Sequence, residues 1–172
     1  MKKLVTITAL LVLAVPTAFA APPAQGTSPA QLCRAQQAGM SAADFASLYA
    51  PASPKSAFGR CVAARQQQVA QNTANAAKTC SAERAGWVTA NHAGKSFNES
   101  YGANDNDRNA FGKCVSQKAK VQTEAQQAAT LSAAKQCKAD RAANRAAFDA
   151  AYGTKRNAFG KCVSAKSKQN GS

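Results

Sequence analysis

Six cysteines carry the most chemically distinctive signal in this chain: Cys33, Cys61, Cys80, Cys114, Cys137 and Cys162. Cysteine can ligate metal, act as a nucleophile or form a disulfide. Zinc sites favour close pairs such as C-x2-C, and no such pair occurs. A catalytic thiol needs an activating base, and the sole histidine is His92, in the stretch WVTANHAGKS that has no counterpart elsewhere in the chain. A lone histidine without partners reads as a packing or surface residue, and Trp87 beside it as a local packing anchor. An even cysteine count behind an export signal points to disulfides. Neither a cofactor nor a catalytic group is implied, and the chain reads as a non-enzyme.

Two other groups of residues invite a chemical reading. Asp105, Asp107 and Asn109 follow the D-x-D-x-N order that opens a calcium loop. The rest of that loop fails, because Ala110 stands where glycine is needed and Ser116 where a bidentate glutamate is needed. A turn rich in Asx residues explains the stretch more economically. Basic side chains recur after the second and third cysteine motifs: Lys113, Lys118 and Lys120, then Lys155, Arg156, Lys161, Lys166 and Lys168. They read either as a solvated face that keeps an alanine-rich chain dispersed or as a footprint for nucleic acid or an anionic wall polymer. No aromatic residue interleaves with them, so a base-stacking groove is not indicated.

The overall balance supports both readings. Lys and Arg number 22 against 8 Asp and Glu, a formal charge of +14. Removing Lys2 and Lys3 with a leader lowers it by two. Residues 1–20, MKKLVTITALLVLAVPTAFA, have the form of a secretory signal peptide: a basic start, an apolar run and an A-x-A ending at Ala18 to Ala20. The apolar run is short for a membrane span, which needs about 20 residues. Residues 21–29 read as a disordered lead-in. The expected location is therefore secreted or associated with the cell envelope, without a membrane span after signal cleavage, and an anionic polymer or envelope component is the expected class of partner.

The elements that must position these residues are written in a repeat. NAFGKCVS at 109–116 recurs letter for letter at 157–164, and SAFGRCVA at 56–63 is a looser copy. Each copy holds a first cysteine, then Phe-x3-Tyr, a polar loop, and x-A-F-G-[KR]-C-V. The period is near 50 residues, the mark of a repeat array. Phe45 and Tyr49, Phe97 and Tyr101, and Phe148 and Tyr152 share a helix face at that spacing. Gly102 and Gly153 sit where a left-handed C-terminal cap takes glycine, and Pro51 stops the helix in the first copy. Ser56, Asn109 and Asn157 stand at the N-cap of the next helix. Gly59, Gly112 and Gly160 each weaken that helix by roughly 1 kcal/mol, and a close neighbouring helix would account for them.

Within a copy the chain must fold back between the first cysteine and the Phe-x3-Tyr helix. Gly39 with SAAD at Ser41 to Asp44 marks the break in copy one, Gly94 with Ser96 in copy two, and Asn144 in copy three. The expected fold is all-α: three small disulfide-stapled helical modules, at 30–66, 77–120 and 134–168, joined by long helical linkers. Both linkers lack glycine and proline from Arg60 to Ala85 and from Lys113 to Tyr152. Val121 and Leu131 are the only large apolar residues in the stretch QKAKVQTEAQQAATLSAAKQ, with no heptad. These linkers are either solvated spacers or thin alanine faces resting on neighbours.

Six cysteines allow about fifteen pairings. The threefold pattern selects Cys33–Cys61, Cys80–Cys114 and Cys137–Cys162, with pairing between modules or between chains as the alternative. Each loop of about 25 to 35 residues contributes ~3 to 4 kcal/mol in the chain-entropy model.

The combination of CSAER at Cys80, CKADR at Cys137 and CRAQQ at Cys33 with F-x3-Y and NAFGKCVS resembles that of uncharacterised secreted bacterial proteins with repeated NAFGKCVS-type cysteine motifs. The resemblance covers most of residues 30 to 168 and implies secretion and a repeat architecture, with no activity attached. The chain is thus expected to be a secreted, non-catalytic repeat protein with a structural or binding role. The alternative is a module that binds nucleic acid or an anionic cell-wall polymer through basic helix faces.

Overall fold

A computed structural model describes residues 28–102 and 108–170. The expected signal peptide at 1–20 and most of the expected lead-in at 21–29 lie outside the described residues, as do Asp105 and Asp107. The described residues form seven α-helices and two short 3-10 turns, with no strand among them. The helices are α1 (Pro29–Ala38), α2 (Ala42–Tyr49), α3 (Ala57–Ala85), α4 (Phe97–Tyr101), α5 (Ala110–Ala143), α6 (Arg145–Tyr152) and α7 (Ala158–Asn170). The lead-in ends earlier than the composition suggests. Ser28 caps α1 in a reciprocal capping box with Gln31, and Pro29 takes the first helical position, where its missing N–H costs nothing.

Each module contains three helical pieces around one disulfide. The pairs are Cys33–Cys61, Cys80–Cys114 and Cys137–Cys162, and every one of these cysteines is fully buried. The folding back between first cysteine and aromatic helix occurs at the expected places. Ser41 accepts the Asp44 N–H, Ser96 and Glu99 form a second capping box, and Asn144 accepts the Ala147 N–H. Local polar chemistry thus sets three helix starts. In each case the Phe and Tyr rings lie 4.9–5.0 Å apart on one helix face.

Other local expectations are corrected. Gly102 ends α4 in extended backbone rather than a left-handed cap. Gly153 does have φ +87° but with ψ 169°, so it redirects the chain without the Schellman geometry. Neither Ser56 nor Asn109 caps its helix through the side chain, because both sit in near-helical backbone that aims the side chain elsewhere. The Ser56 hydroxyl donates instead to the Ser53 carbonyl. Of the three motif glycines, only Gly160 meets a neighbour: a Cβ there would lie 2.6 Å from the Ser47 carbonyl oxygen. Gly59 and Gly112 face open space.

The long helices decide the architecture. α3 begins in the first module and ends in the second, and α5 runs from the second to the third. After Gly59 and Gly112 in their first turns neither helix contains glycine or proline, and both are rich in Ala and Gln, so nothing interrupts either of them. They pack against each other rather than standing as solvated spacers. Glu83 lies opposite Lys118, while Asn72, earlier in α3, lies opposite Thr123 and Gln126, later in α5. The pair is therefore antiparallel, and its consequence is spatial: the start of α3 and the end of α5 lie at the same end. The first and third modules meet there, and the second sits at the other end.

The seam between α3 and α5 is thin. Ala76, Ala119, Ala129 and Ala133 are buried, and small side chains let the helix axes approach. Asn72, 3 % exposed, donates to Thr123 Oγ1 at 3.0 Å and to Gln126 Oε1 at 2.9 Å. Val121, one of the two large apolar residues of that linker, points outward at 64 % exposure. An amide network set in alanine thus replaces an oily seam, which is why no heptad marks it.

The meeting of first and third modules is tighter. Met40 and Leu48 of the first module pack against the core of the third, which is built on Ala133, Cys137, Phe148, Phe159, Cys162 and Val163. The Ser47 hydroxyl donates to the Arg156 carbonyl and accepts the Gly160 N–H at 3.3 Å. The Arg141 guanidinium reaches Asp44 at 2.9 Å, a carboxylate that α2 buries almost completely. The cores of these two modules therefore dock against each other, with Met40 packed on both.

Candidate functional site

Building upward from the disulfides, a polar belt recurs beside each bridge. The third residue after the first cysteine faces the fourth residue after the second. In the second module these are Glu83 and Lys118, 2.8 Å apart, and the Tyr101 hydroxyl donates to Glu83 at 2.7 Å. In the third module they are Asp140 and Lys166, 3.0 Å apart. The neighbouring arginines also repeat, with Arg84 over the Phe111 ring and Arg141 over the Phe159 ring, each at 5.0 Å. The disulfide sets the register that makes both pairings possible.

The second module shows what the belt does electrostatically. Burial alone would raise the Glu83 pKa, but hydrogen bonds from Lys118 and Tyr101, with the Lys118 charge, outweigh it and hold the carboxyl below its ordinary value. Burial and the hydrogen bond to Glu83 push the Tyr101 hydroxyl up. The bond to Glu83 also raises the Lys118 ammonium. Trp87 and His92 belong to the same neighbourhood. Their rings stack at 3.6 Å, Trp87 stands edge-on to Phe97 at 5.3 Å, and its indole N–H donates to the Lys95 carbonyl at 2.9 Å. Both act as packing groups for the insertion.

The first module departs from the pattern. Its belt positions hold Gln36 and Arg65, and sequence reasoning passed over both. Superposing CRAQQ on CSAER and CKADR would have found Gln36, since an amide stands where the other copies have an acid. The Tyr49 hydroxyl donates to Gln36 Oε1, and Arg65 donates to Gln68 and, at 3.5 Å, to the Tyr49 oxygen.

The basic residues singled out from the sequence divide into two sets. Lys118, Lys120 and Lys166 are engaged with Glu83, Glu124 and Asp140. Lys113 is exposed at the second-module end. Lys155 and Arg156 line a depression of about 650 Å³ at the junction of first and third modules, together with Arg141 and Arg145. Lys161 and Lys168 line an adjoining one of about 430 Å³, and the two share Ser47 and Pro51. The acids of this end, Asp44 and Asp149, are held by Arg141 and Arg145. Four cations of the third module thus line two adjoining depressions beside the first.

Asn109 closes the turn before α5, and the remaining acids of the calcium-like order lie outside the described residues. Among the described residues, no group of three or more His, Cys, Asp or Glu side chains is placed to hold a metal ion. No described helix is long and apolar enough to cross a membrane. Comparison with family models, with curated proteins and with solved structures finds no match to this chain.

Proposed function

We propose that this is a secreted, non-catalytic repeat protein that binds an anionic polymer through the basic face where its first and third modules meet. The observation that carries the reading is the imbalance of charge and where the acids are used. Of the 22 basic side chains Lys2 and Lys3 leave with the leader, so 20 face 8 acidic ones and twelve cations stay unmatched even if every acid is paired. Five acids are already committed to ion pairs within the helical frame. What remains for a partner is cationic, and Lys155, Arg156 and Lys161 gather part of it at one end. A surface of this sign attracts polyanions at long range and releases counterions on binding. Recognition rests on charge, because the aromatic residues beside these cations, Phe148 and Phe159, are almost completely buried and offer no open face to stack a base. An anionic cell-wall polymer fits such a surface better than sequence-specific nucleic acid, and the three disulfides suit an oxidising exterior.

The test is salt-dependent retention on an anionic polymer resin, with a neutral resin alongside. Replacing Lys155, Arg156 and Lys161 with alanine lowers the elution salt. It also reduces the slope of log affinity against log salt by about 0.7 to 0.9 for each of these cations that neutralises a charge on the polymer. An equal charge change at the other end, Lys78, Lys95 and Lys113 to alanine, leaves both near the wild-type values. Equal weakening in the two triple variants, or retention unaffected by salt, would refute the assignment.

A further inference from the structure

We infer that a discrete oxyanion-binding site is built around Arg65, in a cleft that adjoins the basic face through Leu48 and Ser164 but binds independently of the polymer reading. Three observations converge on it. The internal repeat is the first. At the belt position where the second and third modules place Glu83 and Asp140, the first places Gln36, while the basic partner is kept as Arg65 in place of Lys118 and Lys166. The module has kept the cation and lost the anion.

The second observation is burial. Arg65 is only 5 % exposed, and no carboxylate pairs with it among the described residues. A buried guanidinium without a countercharge is costly, and such groups are almost always neutralised by an acid or a ligand. Its Nε has no acceptor, and neither does Gln36 Nε2, in a residue that is fully buried. Both residues meet at the Tyr49 hydroxyl. Of the two orphaned donors it is the Arg65 guanidinium that borders open space, and its unpaired Nε–H asks for an acceptor there.

A groove supplies the third. Arg65 lines a cleft of about 340 Å³ between α3 and α7, floored by Leu48, Tyr49, Thr130 and Val163 and bordered by Gln68, Ser164 and Ser167. Its polar lining consists of amides, hydroxyls and one guanidinium, with no carboxylate to repel an anion. The planar fork of arginine matches carboxylate and phosphate oxygens in a way the lysines of the other modules would not. The ligand is therefore a small oxyanion group, carboxylate or phosphate, free in solution or carried on a larger molecule.

The test follows the Arg65 Nε–Hε resonance of the full-length disulfide-bonded protein as inorganic phosphate or acetate is added at constant ionic strength. Arg65→Lys assigns the signal. Saturable movement of that resonance, with a rise in melting temperature, is expected, and the anion that saturates at lower concentration identifies the class. Gln36→Glu restores the carboxylate found in the other copies. It should raise the melting temperature without ligand and weaken anion binding by roughly tenfold or more, the scale of a missing charged hydrogen bond. A further arm repeats the titration with an anionic polymer, and Gln36→Glu should leave retention on the polymer resin unchanged. An Arg65 signal indifferent to both anions, or one that moves equally in wild type and Gln36→Glu, would overturn the assignment.

Discussion

Gly59, Gly112 and Gly160 are the same letter of the same motif, yet alanine should have opposite effects at them. At Gly59 and Gly112 a new Cβ meets nothing within 4 Å. Both lie in helices, so alanine should stabilise by about 0.5 to 1 kcal/mol through helix propensity and loss of unfolded-state freedom. At Gly160 the same atom would stand 2.6 Å from the Ser47 carbonyl oxygen and 3.0 Å from Leu48 Cα. Those are backbone atoms of α2, held by the Phe45 core and by hydrogen bonds around Ser47, and they cannot swing aside. Overpacking costs about 1 to 3 kcal/mol. After the propensity gain, a net loss of ~1 to 2 kcal/mol remains. For a chain of this size each kcal/mol moves the melting temperature by about 2 to 4 °C. Urea unfolding of the three single variants, oxidised throughout, is the assay. Gly59→Ala and Gly112→Ala should rise and add in the double variant, since they lie in different modules. Gly160→Ala should fall. A Gly160→Ala variant as stable as the other two would mean that first and third modules do not dock through α2 and α7.

Two further outcomes rest on the same architecture. Replacing Cys80 and Cys114 with serine should cost ~3 to 4 kcal/mol, given the separation of 34 residues, with hydrogen-exchange protection lost first in α4. The second module buries little beyond Phe97, Ala110 and its two cysteines, whereas the other two modules brace each other; uniform loss of protection would contradict this. Glu83 has a depressed folded pKa, so its contribution is complete above the unfolded glutamate value and is lost as pH falls through the folded one. Glu83→Gln should therefore flatten the acid limb of stability against pH, measured by urea midpoints from neutral to strongly acidic conditions, and an unchanged acid limb would exclude the Lys118–Glu83–Tyr101 belt as its source.

Much of this molecule is written locally. The octapeptide repeat carries the disulfide pairing, because each module must close on its own pair of cysteines. Ser41, Ser96 and Asn144 announce helix starts, since a cap is made between residues three apart in the chain. The absence of glycine and proline in the linkers announces α3 and α5. Ser56 and Asn109 mislead for the same reason that local signals are weak there: the backbone entering the helix is already near-helical and leaves no cap geometry for the side chain. The polar belts were hidden as well. Glu83 and Lys118, or Gln36 and Arg65, become neighbours only after the disulfide fixes the register of two helices.

By itself, then, the amino-acid order determines that there are three helical units, where their sulfur bridges close, and that the chain is strongly cationic. Tertiary structure decides that the linkers form an antiparallel pair, that the first and third units dock core to core, and that the third unit's Lys155, Arg156, Lys161 and Lys168 border the first unit's Ser47 and Pro51. The reason is range. Caps, helix-breaking residues and repeats act over a few residues or recur visibly in the chain. The seam of Asn72, Thr123, Gln126 and buried alanines instead depends on which faces of two long helices meet, and alanine and glutamine carry almost no pattern to show it.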